Sequence, residues 1–135
     1  MNKNCIFCKI VMGTIPSEKI YEDKVVLAFL DIEPVNIGHT LIIPKEHFEN
    51  LYDLPEEMAG YIIKIAKKIS AAIRKTGAEG TVVSMNNGEH AGQTVFHSHT
   101  HIIPRFKTDK LPSWPKIKYG EGELSDTANK IISAL

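Results

Sequence analysis

The clearest periodicity in the chain is helical. Met58, Ile62, Ile65, Ile69 and Ile73 recur at spacings of four, three, four and four, which puts them on one face of a helix. Asp53 is placed to cap its start, Pro55 suits the first turn, and Glu56 and Glu57 face the positive end of the helix dipole. Lys64, Lys67, Lys68 and Lys75 fall mostly off the stripe, and Gly77 can supply the left-handed residue that ends it. Shorter apolar runs read as strands. These are 20–23 and 25–31 around an Asp23-Lys24 turn, 40–43 stopped by Pro44, 81–85 closed by Asn86-Asn87-Gly88, and a long one over 95–106. Pro34, Asn36 and Gly38 mark a loop, and 111–122 is rich in proline and glycine around Trp114. A short C-terminal helix is expected over about 125–135. Several strands with one long crossing helix predict an α+β domain on an antiparallel sheet of about five strands.

Composition narrows the class. A chain of 135 residues with 43% hydrophobic and 24% charged side chains fits one globular domain, here read as 1–135. Sixteen basic and sixteen acidic side chains cancel, so the basic excess that duplex nucleic acid demands is missing and no nucleic-acid partner is expected. The longest uninterrupted apolar run, 25–30, is too short to span a bilayer. The first residues lack a secretory apolar segment. The expectation is a cytoplasmic protein without a membrane partner, with reduced thiols. Cys5 and Cys8 are then a metal half-site or a redox pair before a disulfide, or merely two small residues.

The informative stretch is Phe96-His97-Ser98-His99-Thr100-His101-Ile102-Ile103-Pro104. On a strand, alternate side chains share a face, so His97, His99 and His101 would line up with neighbours about 6.5–7 Å apart. Histidine is a poor choice for a merely wet face. The row can bind a metal, or one imidazole can attack phosphorus while its neighbours handle protons and charge. Just upstream, Asn86-Asn87-Gly88-Glu89-His90-Ala91-Gly92-Gln93-Thr94 offers amide donors for an anion. His90 is given no role.

These residues resemble the histidine triad (HIT) superfamily, in its small Hint-like branch. The motif His-x-His-x-His followed by two apolar residues is matched by His97, His99, His101, Ile102 and Ile103, although Ser98 and Thr100 stand where apolar residues are usual. Blocks 5–10, 28–32, 38–45 and 92–96 extend the likeness from about Cys5 to Arg105. The resemblance implies a HIT-like fold and a homodimer with sheets joined edge to edge. It implies His99 as the nucleophile, His101 on the α-phosphate, and His97 and His39 as support. Asp31 would hold the ribose hydroxyls and Ile32 the base. Asn86, Gly92, Gln93 and Thr94 would line the phosphate. It also adds His47 and His97 to Cys5 and Cys8 as a structural zinc site, as in zinc-carrying bacterial members.

The activity implied is hydrolysis of purine nucleoside phosphoramidates or related AMP or GMP conjugates, through a nucleotidyl-histidine and without a catalytic metal. Alternatives are a dinucleoside polyphosphate hydrolase, a metal hydrolase with zinc on His97, His99 and His101, and a nucleotide-binding interaction module.

Overall fold

The computed structural model describes residues 1–112 and 114–135; Ser113, inside the 111–122 stretch, lies outside the described residues. In chain order the elements are α1 (Ile6–Val11), β1 (Lys19–Glu22), β2 (Val26–Leu30), β3 (Thr40–Pro44), α2 (Glu56–Lys75), β4 (Gly80–Ser84), β5 (Thr100–Arg105) and α3 (Glu123–Ala134). The five strands form one antiparallel sheet in the order β1-β2-β3-β5-β4. Among the described residues, no helix is long and apolar enough to cross a membrane.

The central strands read as continuous apolar runs because both their faces are covered. On one face the stripe of α2, Ile62, Ile65, Ala66 and Ile69, packs on Val26, Ala28, Ile42 and Ile102. Burying each of those isoleucines contributes about 1.5–3 kcal/mol. On the other face Phe7, Cys8 and Ile10 of α1 cover Leu27, Phe29, Leu41 and Ile43. This second face carries the histidines, since His101 stands opposite Leu41 in the register of β3 and β5.

Three expectations change. The helix at Ile6–Val11 is not foreshadowed by a periodic pattern. Its one turn of apolar residues is too short for one, and Cys5 caps it, its Sγ accepting the Cys8 N–H at 3.4 Å. Asp53 does not cap α2, whose capping residue is Pro55. The Asp53 carboxylate instead accepts the Glu49 and Asn50 N–H groups at 2.9 and 3.0 Å, closing the turn before the helix. The third change is the long histidine strand, which begins only at Thr100. The next rung of the ladder with β3 would fall at Pro44, which has no N–H to give, and the Pro44 carbonyl is occupied by the His97 ring at 2.8 Å. The C-terminal helix forms as expected, starting at Glu123.

The β1–β2 turn is tied to α2 through Asp23. Its carboxylate accepts the Val25 and Val26 N–H groups at 2.7 and 2.8 Å and the hydroxyls of Tyr21 and Tyr61 at 2.8 and 2.7 Å. Burial alone would raise its pKa, but the hydrogen bonds from Tyr61, Val26, Val25 and Tyr21 outweigh it and hold the carboxyl well below the ordinary range. A group ionised more readily folded than unfolded stabilises the protein above its unfolded pKa, about 3.9, and that stability is lost as pH falls further. Asp23→Asn should therefore cost on the order of 1–2 kcal/mol at pH 7. The gap between variant and parent in urea unfolding should narrow below about pH 4.

Candidate functional site

Although only His101 belongs to the ladder, the three histidines still form a row on the α1 side of the sheet. Phe7 is the reason they line up. Its ring meets His97 and His99 edge-on, at centroid distances of 5.9 and 5.2 Å, and packs the same way on Phe29 at 5.7 Å. His99 and His101 are ring neighbours at 5.0 Å. His39, at the end of the loop between β2 and β3, stacks obliquely on His101 at 5.2 Å. That loop is held by Asn36, whose amide donates to the Pro104 carbonyl and to Asp109, both at 2.9 Å. Its tight end needs Gly38, with φ +94°, where a Cβ would stand 3.2 Å from Pro104.

Main-chain partners decide where each ring carries its proton. A carbonyl can only accept, so His99 Nδ1, 2.7 Å from the His97 carbonyl, must donate. The lone pair of neutral His99 is therefore on Nε2. The same logic at His97 puts its proton on Nε2, toward the Pro44 carbonyl at 2.8 Å, and its lone pair on Nδ1. An amide can only donate, so His39 Nδ1, 3.0 Å from the Val35 N–H, must accept. His39 then carries its proton on Nε2 and donates it to His101 Nδ1 at 2.9 Å. His101 is left with Nε2–H as a donor. Burial keeps all four rings neutral. It depresses His97 and His101 to about 4, because charging either ring would also set it against neighbouring imidazoles, His47 and His99 for His97 and His99 and His39 for His101; it also lowers His39 against the pull of Asp31, and His99 against the hydrogen bond to the His97 carbonyl and the pull of Asp31.

The expected metal ligands converge. Donor atoms of Cys5, Cys8, His47 and His97 all lie within 4.8 Å of one another. Around tetrahedral zinc, with Zn–S near 2.3 Å and Zn–N near 2.05 Å, a sulfur and a nitrogen ligand are about 3.6 Å apart. Cys5 Sγ to His97 Nδ1 is 3.4 Å, Cys8 Sγ to His97 Nδ1 is 3.5 Å, and Cys8 Sγ to His47 Nδ1 is 3.3 Å. The chemistry agrees, for His97 presents its lone pair to the thiols while its Nε2–H is held by a carbonyl, the outer-shell arrangement a metal-bound histidine requires. The residues fit zinc, as two sulfurs and two nitrogens in a closed set of which Cys5, Cys8 and His97 are buried and His47 half-buried.

Beside the row lies a cleft of about 380 Å³, lined by His99, His101, Thr94, Asp31, Ile32 and an apolar wall that includes Ile6, Phe7, Phe29 and Leu41. Asp31 directly follows β2, with Oδ1 accepting the Glu33 N–H at 2.9 Å and Oδ2 3.8 Å from His39 Nε2. Ile32 is 93% exposed at the cleft rim. The upstream loop is brought alongside the row, and its amide side chains are engaged within the protein. Gln93 is turned inward: its amide donates to the carbonyls of Glu49 and Val95 at 2.6 and 3.1 Å and accepts the Gly88 N–H at 2.8 Å. Asn86 donates to the Ala91 carbonyl at 2.6 Å, and its amide lies so near Gly92 that a Cβ there would be 3.2 Å away. Thr94 is the member of this loop that reaches the cleft. Phe7, the Pro44 carbonyl and the Val35 N–H were not picked out from sequence. Phe7 carried a signal, since it lies between the two cysteines of the resembling block.

This fold and row of histidines mark a HIT protein. The model of the HIT domain matches residues 12–108, and the chain belongs to that family. Protein hit of Bacillus subtilis is 55% identical over 105 residues, 77% of this chain and 72% of that one. The chain is 44% identical to Adenosine 5'-monophosphoramidase hnt1 of Schizosaccharomyces pombe over 98% of both. It is 38% identical to Adenylylsulfatase HINT3 of Arabidopsis thaliana, over all of this chain and 69% of that one. Among solved structures, a HIT family member from Bacillus subtilis superposes with a TM-score of 0.89 at 46% identity, covering 98% of each chain. A Zn-bound histidine triad protein from Mycobacterium smegmatis superposes with a TM-score of 0.78 at 39% identity, also over 98% of each.

Gln93 sits 3% exposed with its amide bonded to three main-chain groups. Gln93→Ala should leave the Glu49 and Val95 carbonyls and the Gly88 N–H without a partner. The expected cost is roughly 1–3 kcal/mol, read as a lower urea midpoint, with faster amide exchange across 86–94.

Proposed function

We propose that the chain is a nucleotide hydrolase. It would cleave purine nucleoside phosphoramidates and related AMP or GMP conjugates through a covalent intermediate on His99. The observation that carries this is the orientation of the His99 ring. With Nδ1–H bound to the His97 carbonyl, the Nε2 lone pair is the free one, in a ring that lines a cleft with Asp31 and Thr94. Its depressed pKa, caused by burial, keeps the nucleophile unprotonated at neutral pH. In support, two relatives are named for acting on adenosine monophosphate conjugates.

In this reading attack forms a P–Nε2 bond and breaks the bond from phosphorus to the leaving group, an amine departing with a proton from solvent. The adduct is an imidazolium-like phosphoramidate, and the His97 carbonyl steadies its Nδ1–H. His101, kept an Nε2–H donor by His39, stabilises charge on the phosphorus oxygens, and Thr94 offers its hydroxyl beside the leaving group. Water then releases the nucleoside monophosphate. Asp31 would accept from the ribose hydroxyls, with Ile32, Phe7 and Phe29 against the base. Gln93, Asn86 and Gly92 would act as the frame of the loop that presents Thr94.

Cys5, Cys8, His47 and His97 would hold zinc, and the bound metal would cross-link the N-terminus, the segment after β3 and the histidine segment, adding binding free energy to folding. Thiols kept for a metal suit a reducing compartment, consistent with a cytoplasmic location. The outer edge of β4, where Val82 and Val83 are 41% and 44% exposed, is the edge through which a homodimer would extend the sheet.

His99→Asn should leave nucleotide binding nearly intact and lower kcat on an adenosine phosphoramidate by on the order of 10⁴ or more. Single-turnover quenching of the parent should trap label on the protein, and turnover within tenfold of the parent would overturn the assignment. Protein purified without chelator should carry about one zinc per chain, as a closed four-ligand site implies. The Cys5→Ser, Cys8→Ser double variant should lose the metal and melt at lower temperature while keeping some activity. A metal content near zero, with melting insensitive to added zinc, would overturn the zinc reading.

A further inference from the structure

The chain carries a second group of metal-ligand side chains. Asp31, His39 and His101 bring a carboxylate oxygen and two ring nitrogens within 4.8 Å of one another, beside the cleft. Two imidazoles and one carboxylate with open positions are an ordinary catalytic metal set. A chain that collects zinc at one histidine cluster has to avoid collecting it at the other.

The rings themselves supply the distinction. A metal needs a lone pair on each nitrogen it binds. At this second cluster it would need His39 Nε2, so the His39 proton would have to move to Nδ1. That nitrogen already accepts the Val35 N–H at 3.0 Å, and two hydrogens would then face each other. The Nε2 proton is moreover engaged with His101 Nδ1 at 2.9 Å, closer than the roughly 3.3 Å between two nitrogens on tetrahedral zinc. At the cysteine cluster the main chain does the reverse, because the Pro44 carbonyl at 2.8 Å holds the proton of His97 on Nε2 and frees Nδ1 for the metal. One backbone acceptor thus makes a metal ligand, and one backbone donor unmakes one.

We propose that the Val35 amide is a positioning group that reserves the Asp31–His39–His101 cluster for proton-holding chemistry, by denying His39 Nε2 to a divalent metal and fixing His101 as an Nε2–H donor. Only the catalytic consequence, His101 as donor to phosphate, rests on the hydrolase reading. The Val35 side chain is 60% exposed, so its contribution at this point is its N–H.

The test uses the whole chain with histidine-ring ¹⁵N NMR and zinc titration. In the parent protein at neutral pH, His39 should show an unprotonated Nδ1 and a protonated Nε2, and zinc should bind tightly at one equivalent. Val35→Pro removes the N–H. His39 should then lose its single tautomer, and a second zinc equivalent should bind roughly 10–100-fold more tightly than any second equivalent in the parent, the scale of an outer-shell partner. Adding His39→Gln to Val35→Pro should remove that second equivalent. If the proline variant fails to fold, replacing Val35 by its α-hydroxy acid removes the N–H and keeps the side chain. A protonated Nδ1 on His39 in the parent would overturn the proposal. So would a second zinc equivalent of equal affinity with and without the Val35 N–H. Neither readout involves turnover, so a chain that hydrolysed no nucleotide would sink the functional reading without touching this one.

Discussion

A buried neutral imidazole has one donor and one acceptor, and in this fold backbone groups on three different segments say which nitrogen is which. The His97 carbonyl orients His99, the Pro44 carbonyl orients His97, and the Val35 amide orients His39 and through it His101. Leaving any of these buried groups unpaired would cost about 1–3 kcal/mol, so the tautomers are held by the same bonds that hold the chain. Burial on the α1 side does the complementary work of keeping the rings uncharged, which makes a lone pair available at neutral pH. Neither factor alone would suffice. A neutral ring free to exchange tautomers presents its lone pair only part of the time, and a fixed but protonated ring presents none.

The rest of the architecture serves that arrangement. The face of the sheet under α2 is an aliphatic core with an ordinary periodic stripe. The opposite face is covered by a single turn of helix, which alone buries little. Its cover is completed by aromatic edges and by side chains that converge on one point from the first residues, the segment after β3 and the histidine segment. Phe7 packs on Phe29, His97 and His99 at once, and Cys5 and Cys8 on either side of it lie against His97 and His47. Structural zinc at that point would replace the area that a longer helix would otherwise bury. It would also place the metal on His97, two residues from His99 yet outside the cleft lining.

The division between neighbouring histidines explains how a family named for a run of three can use them differently. His97 serves the fold through the cysteines, His99 faces the cleft with its Nε2 free, and His101 is coupled to His39. The Asp31 carboxylate stands near enough to bias His39, His99 and His101 toward the charged form, but burial prevails at each. Gln93, whose neighbours in sequence form the loop above the row, acts as a strut between the Glu49 turn and Val95, so that the loop holds its shape without a ligand.

Much of this was legible in the residues themselves. The stripe of α2, the β1–β2 turn at Asp23 and the central strands follow from periods and turn residues, because those signals are local. The alternation that groups His97, His99 and His101 was legible too, and so was the family, from motifs in a fixed order. What the residues did not reveal is where the ladder stops, since that depends on Pro44 being the residue opposite, on a strand far away along the chain and outside any local pattern. Nor did they reveal the turn of helix at Ile6–Val11, Asp53 closing the turn before α2 rather than capping it, or Gln93 facing inward. Each of those side chains had equivalent partners in sequence, and the choice was made by which groups the folded chain brought within 3 Å. Composition and order determined which rings the protein owns. Which nitrogen of each ring is free was decided only by tertiary structure, because a tautomer is selected by a carbonyl or an amide from a remote segment, and no spacing along the chain encodes that contact.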